Sequence, residues 1–177
     1  MLTSKKLMKL LDHNFMVTTF AMILTLLTLT PALGVSDNRF SAPLTGMEEV
    51  PPVNTNSTGI SLFEVINNDT INYKLNVTEM DNIKAAHIHL GNFSENGDVV
   101  ATLFNSSKTP IDIINGTLVE GKITAADLQG PLQEKTIPDL VNLMNETQTY
   151  VNIHSIEYPN GEIRGQITTV NATNWWD

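Results

Sequence analysis

From residue 39 onward, short apolar segments alternate with turn-forming clusters about every ten residues, and this spacing constrains the fold more than any other feature. Strand-length segments without intervening crossover helices predict an all-β sandwich or barrel rather than βαβ units. The predicted strands are 39–46, 58–66, 70–78, 83–90, 98–104, 111–119, 148–155 and 162–169. Turns fall at Asn67-Asn68-Asp69, Glu95-Asn96-Gly97-Asp98 and Pro159-Asn160-Gly161, where residues tolerant of tight backbone geometry cluster. The clearest period-two run is Ile71, Tyr73, Leu75 and Val77, with Asn72, Lys74 and Asn76 on the opposite, solvated face. One short helix interrupts the pattern near 137–145. Thr136 and Asp139 have capping-box spacing, and Ile137, Leu140, Val141 and Met144 form one apolar stripe. Thr124 to Leu128 repeats the signal over a single turn.

The first 34 residues read as a signal peptide: Lys5, Lys6 and Lys9 precede an uncharged run from Asn14 to Ser36, and Ala32-Leu33-Gly34 offers a cleavage site. The alternative is an uncleaved anchor, since about 20 apolar residues suffice to cross a bilayer. Both readings place the remainder outside the cytoplasm, secreted or at the cell surface, with the membrane touched only through the N-terminal segment. Residues 35–170 make one domain and 171–177 a tail, whose Trp175 and Trp176 cover a sheet edge, lie free, or anchor a partner. Beyond the leader there are 7 Lys and Arg against 18 Asp and Glu, a net charge of −11, with no basic cluster. Nucleic acid is therefore excluded as a partner. The absence of cysteine excludes disulfides, thiolate metal sites and cysteine nucleophiles.

Eight Asn-x-Ser/Thr triplets begin at Asn56, Asn68, Asn76, Asn92, Asn105, Asn115, Asn145 and Asn171. Composition alone would give about three, so glycosylation is one reading and Asn/Thr-rich drift the other. Glu48, Glu49, Glu157 and Glu162 read as solvated surface charge. Nucleophile elbows, phosphate-binding glycine loops and HExxH helices are all missing, and the loop Gly91 to Asp98 lacks the ligand spacing of a calcium loop.

His13 lies in the leader, which leaves His87, His89 and His154. In Ala86-His87-Ile88-His89-Leu90, strand parity sends the apolar residues to one face and both imidazoles to the other. By the same parity His154 opposes Val151 and Ile153, and Arg164 opposes Ile163. All four polar side chains then share one outward face. Three imidazoles on rigid strands suit copper or zinc, provided the rings lie within about 3–5 Å of one another. The competing reading is that they hydrogen-bond loop carbonyls.

Three separated motifs carry a family resemblance. Leu44 to Gly59, Ala85-Ala86-His87-Ile88-His89, and Tyr150-Val-Asn-Ile-His154 through Pro159 to Ile167 resemble the opening, middle and end of CHRD domains. The resemblance implies an extracellular module acting on another protein or a small ligand. Chordin's growth-factor role is tied to cysteine-rich modules that this chain lacks. A more distant likeness links His87, His89, His154 and Arg164, in order, to the copper ligands and anion-guiding arginine of copper-zinc superoxide dismutase. No further His or Cys exists to supply that enzyme's bridging histidine, zinc ligands or disulfide. Together these imply a Greek-key β-sandwich, immunoglobulin-like or superoxide-dismutase-like. Two functions follow: a binding or surface module with a metal on His87, His89 and His154, or a copper-dependent redox enzyme in which Arg164 guides the anion.

Overall fold

The computed structural model describes residues 39–106 and 111–170, with side chains for all of these except 111–114. They belong to one compact unit, Ser36–Asp177. The leader, Asn171 and the two tryptophans of the tail lie outside the described residues. No helix among the described residues is long and apolar enough to cross a membrane.

Among the described residues there are eight strands and one α-helix, as the all-β expectation requires: β1 Arg39–Thr45, β2 Thr58–Ile66, β3 Thr70–Leu90, β4 Val99–Asn105, β5 Ile111–Thr124, α1 Ile137–Asn145, β6 Thr149–Ser155, β7 Ile163–Gln166 and β8 Thr168–Thr169. The two segments expected at 70–78 and 83–90 are one 21-residue strand. Its first half pairs with β2 and β5, and its second half with β4 and β6. β3 thus lies inside two layers, β5-β3-β2-β1 and β7-β6-β3-β4, which meet again where Thr45 of β1 pairs with Arg164 of β7.

The crossing point is the segment 79–82. Glu79 and Asn82 adopt φ values of 52° and 50°, and the pairing with β5 slips between Met80 and Ile83. These irregularities bend the strand and change its parity. Before the bend the odd residues Ile71, Tyr73, Leu75 and Val77 are buried; after it Ile83 is followed by the even residues Ala86 and Ile88. The core lies between the layers, where this apolar set meets Phe40, Leu44, Phe63, Val151, Ile153 and Ile163.

Two boundaries differ from the expected ones for a visible reason. β5 runs on to Thr124 because β3 offers partners as far as Thr70. The segment 162–169 is divided at Ile167, whose N–H donates to Thr149 O at 2.9 Å while Thr168 and Thr169 pair with β1. Helix α1 matches its expected span. Asp139 Oδ2 accepts from Thr136 N at 2.8 Å and from Thr136 Oγ1 at 2.7 Å, closing the cap, and Ile137, Leu140 and Met144 are buried. The shorter signal at Thr124 and Asp127 forms one 3-10 turn over Ala125–Asp127.

Candidate metal centre

The second layer presents its apolar side to the core and a polar side to two covering segments. Along β3 and β6 the register pairs His87 with Asn152, His89 with Tyr150 and Ala85 with His154, so His154 stands diagonally beside His87. Arg164 on β7 pairs with Asn152 and Gln166 with Tyr150, which adds both to the same face. Ring centroids are 5.1 Å apart for His87 and His154, 5.7 Å for His87 and His89, and 6.0 Å for His89 and His154. One nitrogen from each ring comes within 4.8 Å of the other two.

Hydrogen bonding distinguishes the two nitrogens in two of these rings. His89 Nδ1 lies 2.9 Å from Gly97 O, and His154 Nδ1 lies 3.1 Å from Pro159 O. A carbonyl only accepts, so each Nδ1 carries the proton and each Nε2 keeps its lone pair. His89 Nε2, His154 Nε2 and His87 Nδ1 are buried with no hydrogen-bond partner. Leaving a buried polar atom unpaired costs about 1–3 kcal/mol. Three rings brought together, each with one unpartnered nitrogen and two with the opposite nitrogen held by a carbonyl, have the chemistry of a donor set that could hold a metal ion.

Burial keeps the rings neutral. It is the main cause lowering His87 to about 4, helped by His154 and His89. His89 is also lowered, chiefly by burial, against the raising effect of the Gly97 carbonyl. His154 is lowered by burial, against the Pro159 carbonyl.

The face is not open, and here the expectation of an outward, solvated surface is corrected. Residues 46–53 and 91–98 lie over it, tied together by Asn96 Nδ2 donating to Val50 O at 2.8 Å. Arg164 shares the face but is 1 % exposed. Its Nη2 donates to Asn92 O at 2.9 Å and its Nη1 to Asn96 Oδ1 at 3.2 Å, while its guanidinium carbon sits 3.5 Å from the centre of the Tyr150 ring. A cation engaged on three sides is poorly placed to guide an incoming anion.

Two carboxylates read as solvated are buried as well. Glu162 accepts from Ser57 Oγ at 2.6 Å and Thr55 Oγ1 at 3.0 Å. Glu49 accepts from Asn152 Nδ2 at 3.3 Å through Oε2, while its Oε1 has no partner. Burial raises Glu49 to about 7, opposed by Arg164 and the Asn152 hydrogen bond. Glu48 and Glu157 are exposed, as expected.

Sequence reasoning missed Tyr150, Asn152, Asn96 and Gly97 as parts of this face. The signal for Gly97 was present as a turn glycine whose deeper constraint is packing: a Cβ there would lie 1.7 Å from Leu90 O. Only glycine lets the loop press against β3 and deliver its carbonyl to His89.

Of the Asn-x-Ser/Thr positions, Asn56, Asn68, Asn92, Asn105, Asn115 and Asn145 are exposed and Asn76 is half-buried. A family model described as the CHRD domain matches residues 40–167. A comparison with curated proteins finds no match.

Proposed function

The chain belongs to the CHRD family, and we propose that it acts outside the cytoplasm as a binding module whose working part is a copper or zinc site on His87, His89 and His154. One observation carries this reading: one nitrogen from each of the three imidazoles lies within 4.8 Å of the other two, in rings that each keep a buried nitrogen with no hydrogen-bond partner. An all-nitrogen set of this kind suits either ion. Two bonds of 2.0–2.1 Å at a tetrahedral angle put their nitrogens about 3.4 Å apart, so binding draws the rings together. The histidines titrate low and need shed no proton to bind at neutral pH. A small ligand or a side chain of an extracellular protein would complete the coordination.

Holding an ion is favoured over redox turnover, because the cation that turnover would recruit is already engaged by Asn92, Asn96 and Tyr150. The basic-then-apolar leader supports export, and the exposed sequons support glycosylation. An intact mass of the native protein equal to the bare chain would remove the glycans from this account.

The test is calorimetric titration of the chelator-stripped, exported protein with zinc and with copper. One ion per chain should bind with a Kd well below about 1 mM, and the triple variant His87→Ala, His89→Ala, His154→Ala should not bind. No binding by the wild type, or unchanged affinity in the triple variant, would end the metal reading.

A further inference from the structure

The structure assigns Arg164 a positioning role: we infer that it clamps the loop 91–98 over the polar face and, through the carbonyl of Gly97, sets which nitrogen of His89 carries the proton. The metal reading gives this role its purpose, but the test below does not depend on it.

Burying a guanidinium is costly unless its donors are used, and here they converge on one loop. Nη2 holds the carbonyl of Asn92 at one end, and Nη1 holds the side chain of Asn96 further along. The next residue, Gly97, is fixed from both sides. Its N–H donates to Tyr150 Oη at 3.1 Å, and its carbonyl faces His89 Nδ1 at 2.9 Å.

A second path runs through the rings. The guanidinium lies on Tyr150, and Tyr150 stacks on His89 with centroids 5.0 Å apart and planes 12° from parallel. Arg164 therefore reaches His89 both by the loop backbone and by the stack, without touching the lone pair that faces His87 and His154.

The consequence is chemical. A free imidazole prefers its proton on Nε2. At His89 that proton would sit on the atom directed at the other two rings and block it. The Gly97 carbonyl reverses the preference, and the carbonyl stays in place because Arg164 anchors the residues before it. Lysine keeps the charge but has no planar fork to hold two acceptors at once, so Arg164→Lys is the informative change.

The experiment is long-range proton–nitrogen correlation NMR of the histidine rings at neutral pH in metal-free protein, with amide exchange across residues 91–98. Wild type should show His89 as the Nδ1–H tautomer with a protected Gly97 amide. Arg164→Lys should show mixed His89 tautomers, at least tenfold faster Gly97 exchange, and His154 unchanged, because Pro159 and not the loop holds that ring.

Should Arg164→Lys fail to fold, two changes at the exposed position 96 decide the matter: Asn96→Ala removes both the acceptor for Arg164 Nη1 and the donor to Val50 O, whereas Asn96→Asp keeps the acceptor and loses only the donor. Mixed His89 tautomers in Asn96→Ala but not in Asn96→Asp support the role, and the same tautomer in both overturns it. A folded Arg164→Lys with an unchanged His89 tautomer also overturns it, whatever happens to zinc affinity. If the tautomer shifts but wild type binds no zinc, the positioning role stands and the metal reading alone falls. If both hold, zinc affinity in Arg164→Lys should drop about tenfold or more, the scale expected when a histidine ligand loses its outer hydrogen bond.

Discussion

Replacing Glu49 by glutamine, Glu49→Gln, should remove a pH-dependent weakness from the fold. The carboxyl is 5 % exposed, and burial raises it from an ordinary 4.5 to about 7. Between those values the native state holds a proton that the unfolded chain has released. Native stability then falls as pH rises from 4.5 to 7 and is flat above. At 1.36 kcal/mol per pH unit the full loss is about 3 kcal/mol, a net figure in which the opposing effects of Arg164 and Asn152 are already counted. Glutamine keeps the shape and an acceptor for Asn152 Nδ2 but cannot ionise.

His87 works in the opposite direction. With a native value of about 4 against an ordinary 6.5, it costs stability as pH falls below 6.5. That contribution is common to both proteins and cancels in their difference. Urea denaturation of wild type and Glu49→Gln from about pH 4 to about pH 8, in chelator, reads the difference directly. Near pH 4 the two should agree, and near pH 8 the variant should be the more stable by about 2–3 kcal/mol. A difference that stays constant within about 0.5 kcal/mol across the range would refute the burial argument.

Three further outcomes follow. Because burial lowers all three histidines below their ordinary value, zinc affinity should fall less between pH 7 and pH 6 than three ordinary imidazoles would allow; a loss of about tenfold or more over that interval in a pH-resolved titration would contradict it. Gly165→Ala should destabilise by about 3 kcal/mol or more in a denaturant titration, since its Cβ would lie 1.9 Å from the backbone oxygen of Pro43, where β1 and β7 meet. Thr136→Ala should cost about 1 kcal/mol through its helix cap and leave metal affinity unchanged, measured by thermal unfolding with and without zinc.

Strand parity was enough to place His87, His89, His154 and Arg164 on one face, because alternation is local and each strand carries its own apolar partner set. Parity is silent about what lies above that face. The burial of Arg164 and Glu49 comes from segments 46–53 and 91–98 folding over the sheet, a contact set by Gly97 packing on Leu90 and by Asn96 reaching Val50. The fusion of two expected strands into β3 was hidden for a related reason. Met80, inside the bend at 79–82, is itself buried, so what reads as a gap between two strands is a bulged continuation. Helix α1 was legible because its cap and its stripe lie within ten residues of one another.

The antiparallel pairing of β3 with β6 has a consequence in time as well as space. It joins His87 and His89 to His154, which arrives more than sixty residues later in the chain. No growing chain holds the three nitrogens together until nearly the whole domain has been made and the sheets have closed. On the proposed metal reading, an ion would therefore meet either a finished site or none, and the first metal available would be the one present in the compartment where folding ends. For ligands that fit copper and zinc alike, the place of folding would then decide the choice that the donor atoms leave open.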